Sequence, residues 1–111
     1  MINLSIIIPA KDEEGSIPEL GAWIARVMAA HGFSYEVIFI DDGSEDSTWK
    51  EIQEVCQSNS AFKGLRFNRN FGKSAALHTG FALAIGEVVI TMDADLQDSP
   101  EENSFAGKND S

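Results

Sequence analysis

The sequence predicts an α/β fold in which a parallel sheet is covered by helices on both faces. Its short apolar runs are continuous rather than alternating, which is typical of strands buried on both sides. Segments with apolar residues at helical spacing separate these runs. Strands that alternate with amphipathic helices form βαβ units, so the predicted arrangement is Rossmann-like.

The first strand and helix are predicted between residue 4 and Gly32. Leu4–Ile8 is a continuous apolar run, and Pro9 is expected to end it before a polar loop. Ser16 is predicted to cap the first helix, with Glu19 completing a capping box. Gly32 then supplies a stop signal for this helix.

The second strand and helix follow the same pattern. Glu36–Ile40 is predicted to be a buried strand, and Asp41–Ser44 is its exit loop. Asp46 or Ser47 is predicted to cap a second helix, because short oxygen-bearing side chains satisfy the first backbone N–H groups of helices.

Two further strands flank a third helix. A weaker strand is predicted at Gly64–Phe67 and a stronger one at Glu87–Met92. The helix between them is predicted over Ser74–Ile85, with Gly86 as its stop. Four of its apolar residues are expected to face the sheet: Leu77, Phe81, Ala84 and Ile85.

Composition limits the classes of function. The chain has 111 residues, enough for one small domain, and a net charge of −10 that argues against a nucleic-acid surface. Cys56 is the only cysteine, so an intrachain disulfide is excluded. We see no signal peptide and no apolar stretch of the ~20 residues needed to span a bilayer. A cytoplasmic location is therefore expected.

Every predicted strand is followed by a polar cluster, and right-handed crossovers place all four exits at one edge of the sheet. Ligands of such sheets bind outside the carboxyl ends of the strands. Asp93 and Asp95 are two residues apart, so in extended chain they share a face and can address one hard cation such as Mg²⁺ or Mn²⁺. A nucleotide diphosphate with a divalent metal fits the carboxylates and amides of these exits together with the two cations Arg69 and Lys73. Aspartates after strands also serve in ordinary turns, which is the structural alternative.

Known phosphate motifs are absent. No Gly-x-Gly-x-x-Gly follows Ile8, so the dinucleotide fingerprint is missing. The segment 71–74 has the Gly-Lys-Ser ending of a P-loop without its first glycine.

Four motifs, in this order and spacing, resemble the N-terminal half of a family 2 glycosyltransferase of the GT-A fold. They are Ile8–Glu14, Asp41–Thr48, Asn68–Lys73 and Met92–Gln97. The branch that is most similar is the dolichyl-phosphate mannose synthase type, which includes bacterial polyprenyl-phosphate glycosyltransferases. The resemblance extends from residue 4 to about residue 102, so we expect a nucleotide-sugar-binding domain over 1–102 and a disordered tail over 103–111.

The resemblance implies roles for the matching positions. Residues expected to bind the nucleotide are Pro9, Ala10, Glu13, Asp41, Asp42, Lys73 and Asp93. Asp42 would take the base edge, with Asp41 beside it, and the 68–71 loop would border the nucleotide. Residues expected at the metal are Asp93, Asp95 and Gln97. Asp12 and Asp98 depart from the asparagine and histidine that are frequent at these positions.

The resemblance also implies an acceptor half, with a carboxylate base, that this sequence does not contain. We therefore expect a truncated enzyme that keeps the donor and metal side, with transfer to a polyprenyl phosphate or glycan acceptor in full-length relatives and doubtful activity in the isolated chain. The catalytic base is unknown. The last strand is expected to have an open edge, which predicts self-association.

Two other classes of function remain. The first is a non-catalytic module that holds the metal and the nucleotide without turnover. The second is a receiver-like phospho-acceptor domain, since doubly wound domains of this size occur in signalling. A receiver needs its acid pair after the first strand, whereas Asp41 and Asp42 follow the second. Asn68 also stands where its phospho-acceptor aspartate would be. This makes the receiver the least favoured class.

Overall fold

A computed structural model describes residues 1–94 of the chain. Asp95, Gln97 and the predicted tail over 103–111 therefore lie outside the described residues. Within residues 1–94 the strands are β1 (Leu4–Ala10), β2 (Tyr35–Asp41), β3 (Phe62–Arg66) and β4 (Val88–Thr91). The helices are α1 (Ile17–His31), α2 (Thr48–Ser58) and α3 (Lys73–Leu83). Strands and helices alternate along the chain as predicted.

The four strands form one parallel sheet in the order β3-β2-β1-β4. The chain moves outward from β1 through β2 to β3, and then crosses back so that β4 pairs with the other side of β1. The order therefore reverses between β1 and β4, which is where open α/β sheets bind ligands. The predicted parallel α/β sheet is confirmed.

Helices cover both faces of the sheet. On one face, α1 and α2 pack on alternate strand residues such as Ile6, Ile8 and Phe39. On the other face, α3 packs on Ile7 and Ile38 through a smaller apolar cluster. Successive strand residues point to opposite faces, so a strand buried on both sides must be apolar at every position.

The prediction that Pro9 ends the first strand is wrong, because β1 continues to Ala10. The C=O of Ala10 accepts from the Asp42 N–H on the β2 side, at 2.8 Å. Alternation along the strand then turns Pro9 toward the β4 side, where the last register pair is Ile7 with Thr91. A proline without an N–H fits there because no ladder bond is required of it.

The inward face of the third helix is also predicted incorrectly in part. Ala76 and Gly80 are its buried residues, and Phe81 is 50% exposed. A Cβ on Gly80 would lie 2.3 Å from Ile7 Cγ2, so the helix approaches the sheet too closely for a side chain at that position. Leu77 and Ala84 do pack against the sheet cluster, whereas Ile85 lies beyond the helix end and is exposed.

The helix caps agree with the sequence only in part. Ser16 precedes α1, but it has helical φ and ψ and its side chain makes no capping bond, so the capping box is wrong. Gly32 ends α1 in the left-handed conformation, as predicted. Of the two candidates before α2, Asp46 makes the bond, since its carboxylate accepts from the Thr48 N–H at 2.9 Å.

A buried carboxylate joins the strands at the end of the sheet opposite their exits. Glu36 on β2 is 2% exposed and accepts from Ser5 Oγ at 2.6 Å, Lys63 Nζ at 2.8 Å and the Ile85 N–H at 2.8 Å. Ser5 Oγ in turn accepts from the Gly86 N–H at 2.8 Å. This network joins the connection between α3 and β4 to the two central strands, β1 and β2.

Burial opposes ionisation of Glu36, but the hydrogen bonds from Lys63, Ser5 and Ile85 outweigh it and lower its pKa. The group therefore carries its charge inside the protein. In residues 1–94, no helix combines the length and the apolar character needed to cross a membrane.

Candidate functional site

A cavity of about 250 Å³ lies at the strand exits, beside the point where the strand order reverses. Its walls come from the ends of β1 and β4, the exit of β2 and the first residue of α3. The residues that line it are Pro9, Ala10, Lys11, Glu13, Asp42, Lys73, Asp93 and Ala94. Six of the seven residues predicted to bind a nucleotide are thus brought together, and the exception is Asp41.

Asp42 connects the exit of β2 to the loop after β3. Its carboxylate accepts from the Phe71 N–H at 2.7 Å and from the Gly72 N–H at 3.0 Å, and the side chain is buried. These backbone donors fix the position of the carboxylate and hold the loop that precedes α3. Because a carboxylate offers about four acceptor sites, Asp42 retains capacity for a ligand donor in the cavity.

Asp41 does not line the cavity. It is fully buried, and its Oδ1 accepts from the Ser44 N–H at 3.0 Å. Its Oδ2 is buried without a hydrogen bond, with Arg66 Nε 3.8 Å away. The visible role of Asp41 is to shape the turn after β2, and its predicted contact with the nucleotide stays a prediction.

Two loops brace the cavity from the side of α1 and α2. The first runs from Lys11 to Ser16 and the second from Asp42 to Ser47. Asp12 Oδ1 accepts from the Glu45 N–H at 2.8 Å, and Glu14 Oε1 accepts from the Ser47 N–H at 2.9 Å. In the opposite direction, the Asp12 N–H donates to Ser44 Oγ at 2.8 Å. Each loop therefore holds the other.

Glu13 occupies the middle of this braced region. Its backbone N–H donates to Thr48 Oγ1 at 2.7 Å, and Thr48 is fully buried at the start of α2. The half-buried Glu13 side chain lines the cavity. The position of a predicted site residue thus depends on a threonine that the sequence reading did not single out.

The charges of the bracing loops are stabilised by side-chain and backbone donors together. The hydrogen bond from Lys11 and the one from the Glu45 N–H lower the pKa of Asp12. Burial opposes ionisation of Asp46, yet bonds from Thr48 and from the Glu14 N–H outweigh it and lower the pKa of Asp46 as well. Both carboxylates stay ionised at neutral pH, when they serve as acceptors.

An ion pair crosses the mouth of the cavity. Lys73 Nζ lies 2.8 Å from Asp93 Oδ1. Both side chains are mostly exposed, at 63% for Lys73 and 68% for Asp93. The pair joins the start of α3 to the residue that follows β4, so it links two of the predicted site residues directly.

Lys11 lines the cavity, although only Arg69 and Lys73 were predicted to supply positive charge at the strand exits. It directly follows Pro9 and Ala10, which was the available signal. Lys11 also borders a second, larger cavity of about 590 Å³, whose lining includes Arg66, Arg69 and Asn70. The strand exits on the β3 side are therefore more basic than the net charge of the chain suggests.

The cavity suits a hard divalent cation at Asp93. Mg²⁺ and Mn²⁺ prefer oxygen ligands, and Mg²⁺ is usually held by one or two carboxylates with water and phosphates completing its shell. Asp93 presents an exposed carboxylate in the cavity. No group of three metal-binding side chains is present within residues 1–94, and the metal site stays a prediction in the described part of the chain. Asp95 and Gln97 lie outside it.

Comparison with known proteins places this geometry in a family. Residues 5–103 match the family described as glycosyl transferase family 2. The chain is 44% identical over 100 residues to an uncharacterized glycosyltransferase of Synechocystis sp., covering 90% of this chain and 31% of that protein. It is 42% identical over 100 residues to an undecaprenyl-phosphate 4-deoxy-4-formamido-L-arabinose transferase of Aeromonas hydrophila, covering 89% of this chain and 31% of that protein.

A solved structure shows the same fold. A mannosyltransferase from Pyrobaculum calidifontis, in complex with GDP-Man and Mn²⁺, superimposes with a TM-score of 0.74 at 24% identity over 94% of this chain and 30% of that one. This chain spans about a third of the length of the relatives it matches. The predicted GT-A fold is confirmed, and the match over residues 5–103 identifies the chain as a member of glycosyl transferase family 2.

Proposed function

We propose that the cavity at the exits of β1, β2 and β4 binds a nucleotide-diphospho-sugar together with Mg²⁺ or Mn²⁺, as the donor side of a glycosyltransferase. The observation that carries this proposal is the convergence of Pro9, Ala10, Glu13, Asp42, Lys73 and Asp93 on one cavity. The crystallised mannosyltransferase of the same fold holds GDP-Man and Mn²⁺, which supports the ligand class.

The arrangement suggests how the parts of the donor are divided. Asp42 can accept from a nucleobase or ribose donor, since its carboxylate is fixed in the cavity wall. Asp93 offers oxygen to the metal, which steadies a departing diphosphate when bound. Asp95 and Gln97 are proposed to complete the metal site. Lys73 at the start of α3 faces the phosphates, where a helix terminus favours an anion.

We further propose that the acceptor in the whole protein is a polyprenyl phosphate. The name of the Aeromonas relative, an undecaprenyl-phosphate transferase, supports this choice over a glycan. Transfer belongs to the whole protein, and the acceptor-side base is not assigned. The predicted cytoplasmic location also stays a prediction.

Calorimetry tests the donor site. UDP, GDP and their sugars are titrated into the chain with and without Mn²⁺, and metal-dependent binding of one base series is expected. Asp93→Asn and Asp95→Ala should each abolish the metal dependence while the helix content by circular dichroism is unchanged. Glu54→Gln, which removes an exposed carboxylate on α2, is the control. Metal-independent binding, or unaltered affinity in both site variants, would contradict the proposal.

The same titration separates the alternative functions. A non-catalytic module would bind the nucleotide and the metal without transferring sugar, even when a complete acceptor half is supplied. A receiver-like domain would instead be labelled by acetyl phosphate and show no response to nucleotide diphosphates. Labelling without nucleotide binding would therefore replace the donor-site proposal.

We also propose that the chain self-associates through the edge of β4. Among the described strands β4 pairs only with β1, and Val88 and Ile90 are 55% and 41% exposed. This edge carries no charged residue or proline over 88–91, whereas the β3 edge carries Lys63 and Arg66, which discourage pairing. A second copy of the chain is thus the favoured occupant.

Light scattering over a range of concentrations tests the self-association. The wild-type chain should gain mass as its concentration rises, and Ile90→Lys should remain monomeric because a lysine is placed on the pairing edge. Phe33→Lys, at an exposed aromatic away from β4, is the control. A strict monomer at high concentration would count against the proposal.

A further inference from the structure

The two carboxylates Asp42 and Asp93 line the same cavity but are held in different ways. Asp42 accepts from the backbone N–H groups of Phe71 and Gly72, which cannot turn away without moving the loop. Asp93 is paired with the flexible and exposed side chain of Lys73. Exposed side chains change rotamer within nanoseconds, so only the second arrangement can open without a backbone change.

A divalent cation and the Lys73 ammonium compete for the same carboxylate. Both are positive, so a cation bound at Asp93 repels Lys73 as well as displacing it. Metal binding therefore carries the cost of breaking an ion pair and of releasing a lysine next to the ion. An anion beside Lys73 would offset that repulsion, and Asp42, another carboxylate of the cavity, already accepts from the N–H groups of Phe71 and Gly72.

A diphosphate would give Lys73 a negatively charged partner once the lysine has left Asp93. Lys73 is the first residue of α3, an eleven-residue helix whose N-terminal N–H groups point toward the cavity end of the sheet. Phosphate is favoured at such a terminus, and an ammonium beside it adds a charge-assisted hydrogen bond. A single rotation of the Lys73 side chain would thus exchange a carboxylate partner for a phosphate partner.

We propose that Lys73 and Asp93 exchange partners on ligand binding, so that Lys73 makes metal binding and diphosphate binding depend on each other. In the ligand-free state Lys73 holds Asp93. In the loaded state Asp93 serves the metal and Lys73 serves the phosphates. This inference rests on the proposed function and assigns Lys73 a coupling role in addition to a contact.

Lys73→Met tests the exchange because it removes the charge and keeps most of the side-chain length. Titration with Mn²⁺ alone should show tighter binding in the variant, by up to about 5-fold, since exposed ion pairs are weak and their loss frees Asp93. Titration with GDP and with UDP in saturating Mn²⁺ should show weaker binding of the nucleotide that the wild type prefers, by roughly 10-fold or more, since a hydrogen bond to a charged group is lost. The two affinities therefore move in opposite directions.

Lys50→Met is the matched control. It removes the same charge from an exposed position on α2, so it reports how net charge alone changes Mn²⁺ affinity. A misfolded Lys73→Met protein would lose both affinities and its circular dichroism signal, whereas the exchange predicts a gain in one affinity with the fold intact.

The outcomes separate this inference from the function on which it rests. If the wild-type chain shows no Mn²⁺-dependent nucleotide binding, the proposed donor site and the partner exchange are both refuted. If the wild type binds but Lys73→Met binds Mn²⁺ no more tightly than Lys50→Met, the exchange is overturned and the donor site stands. A loss of both affinities in a folded Lys73→Met protein would likewise overturn the exchange.

Discussion

Replacing Glu36 by alanine should destabilise the chain strongly, although Glu36 lies at the far end of the sheet from the cavity. The change leaves the buried Ser5 hydroxyl and the part-buried Ile85 N–H without their acceptor. Each such loss costs roughly 1–3 kcal/mol, so we expect a decrease of about 4 kcal/mol in the free energy of unfolding. Lys63 adds little to this sum because its side chain is 53% exposed and can turn to water.

A loss of that size is a large part of the ~5–15 kcal/mol that stabilises a typical domain. Urea unfolding followed by the fluorescence of Trp23 and Trp49 measures it. Glu36→Gln should lose less, since Ser5 Oγ and the Ile85 N–H both donate to Oε2 of Glu36, and an amide oxygen in that place can still accept from them. Glu54→Ala, at an exposed position on α2, is the control and should change stability by less than about 0.5 kcal/mol. A Glu36→Ala protein as stable as this control would refute the reasoning.

The pH dependence of stability gives a second measurement of the same carboxylate. Because the folded-state pKa of Glu36 is lowered, its contribution is present above the ordinary value of 4.5 and is lost as the pH falls through the folded-state pKa. Wild-type stability should therefore fall on acidification below about pH 4.5 more steeply than that of Glu36→Gln. Parallel pH profiles would show that Glu36 is not ionised inside the protein.

Two glycine substitutions test the close approaches in the fold. Gly80→Ala should cost about 1–3 kcal/mol in urea unfolding, although alanine is the better helix former, because its Cβ would lie 2.3 Å from Ile7 Cγ2; a stabilised variant would contradict this. Gly43→Ala should weaken Mn²⁺-dependent binding of GDP or UDP, because φ is +76° and the new Cβ would lie 2.4 Å from the Arg69 carbonyl carbon. Gly15→Ala is its control, with φ of +89° but open space around the Cβ, and equal affinities in the two variants would exclude a role for that loop contact.

The strands and their shared exit were predictable because their signals are local. A strand buried on both faces carries a continuous apolar run, and β1 and β2 show such runs over 6–8 and 37–40. The right-handed crossover rule then fixed which polar clusters meet. The convergence of Asp42, Lys73 and Asp93 on one cavity followed from topology without knowledge of any side-chain contact.

The remaining features depend on distances across the fold, which a linear pattern does not encode. Gly80 reads as a weak helix residue, yet it is the point where α3 touches Ile7. Asp41 and Asp42 are adjacent and equivalent in the sequence, and both are buried, but only Asp42 lines the cavity. Glu36 reads as the polar start of a strand, and its three donors come from segments 27–49 residues away.

The bracing loops and the Lys73–Asp93 pair should respond differently to ionic strength. Dissolved salt screens exposed charges, with a Debye length of about 3 Å at 1 M. It would therefore weaken the exposed ion pair between Lys73 and Asp93. The loop carboxylates also accept from neutral peptide groups, as Glu14 does from the Ser47 N–H, and such short bonds are screened far less. Concentrated salt would thus separate Lys73 from Asp93 while the hydrogen bonds between the two bracing loops remain.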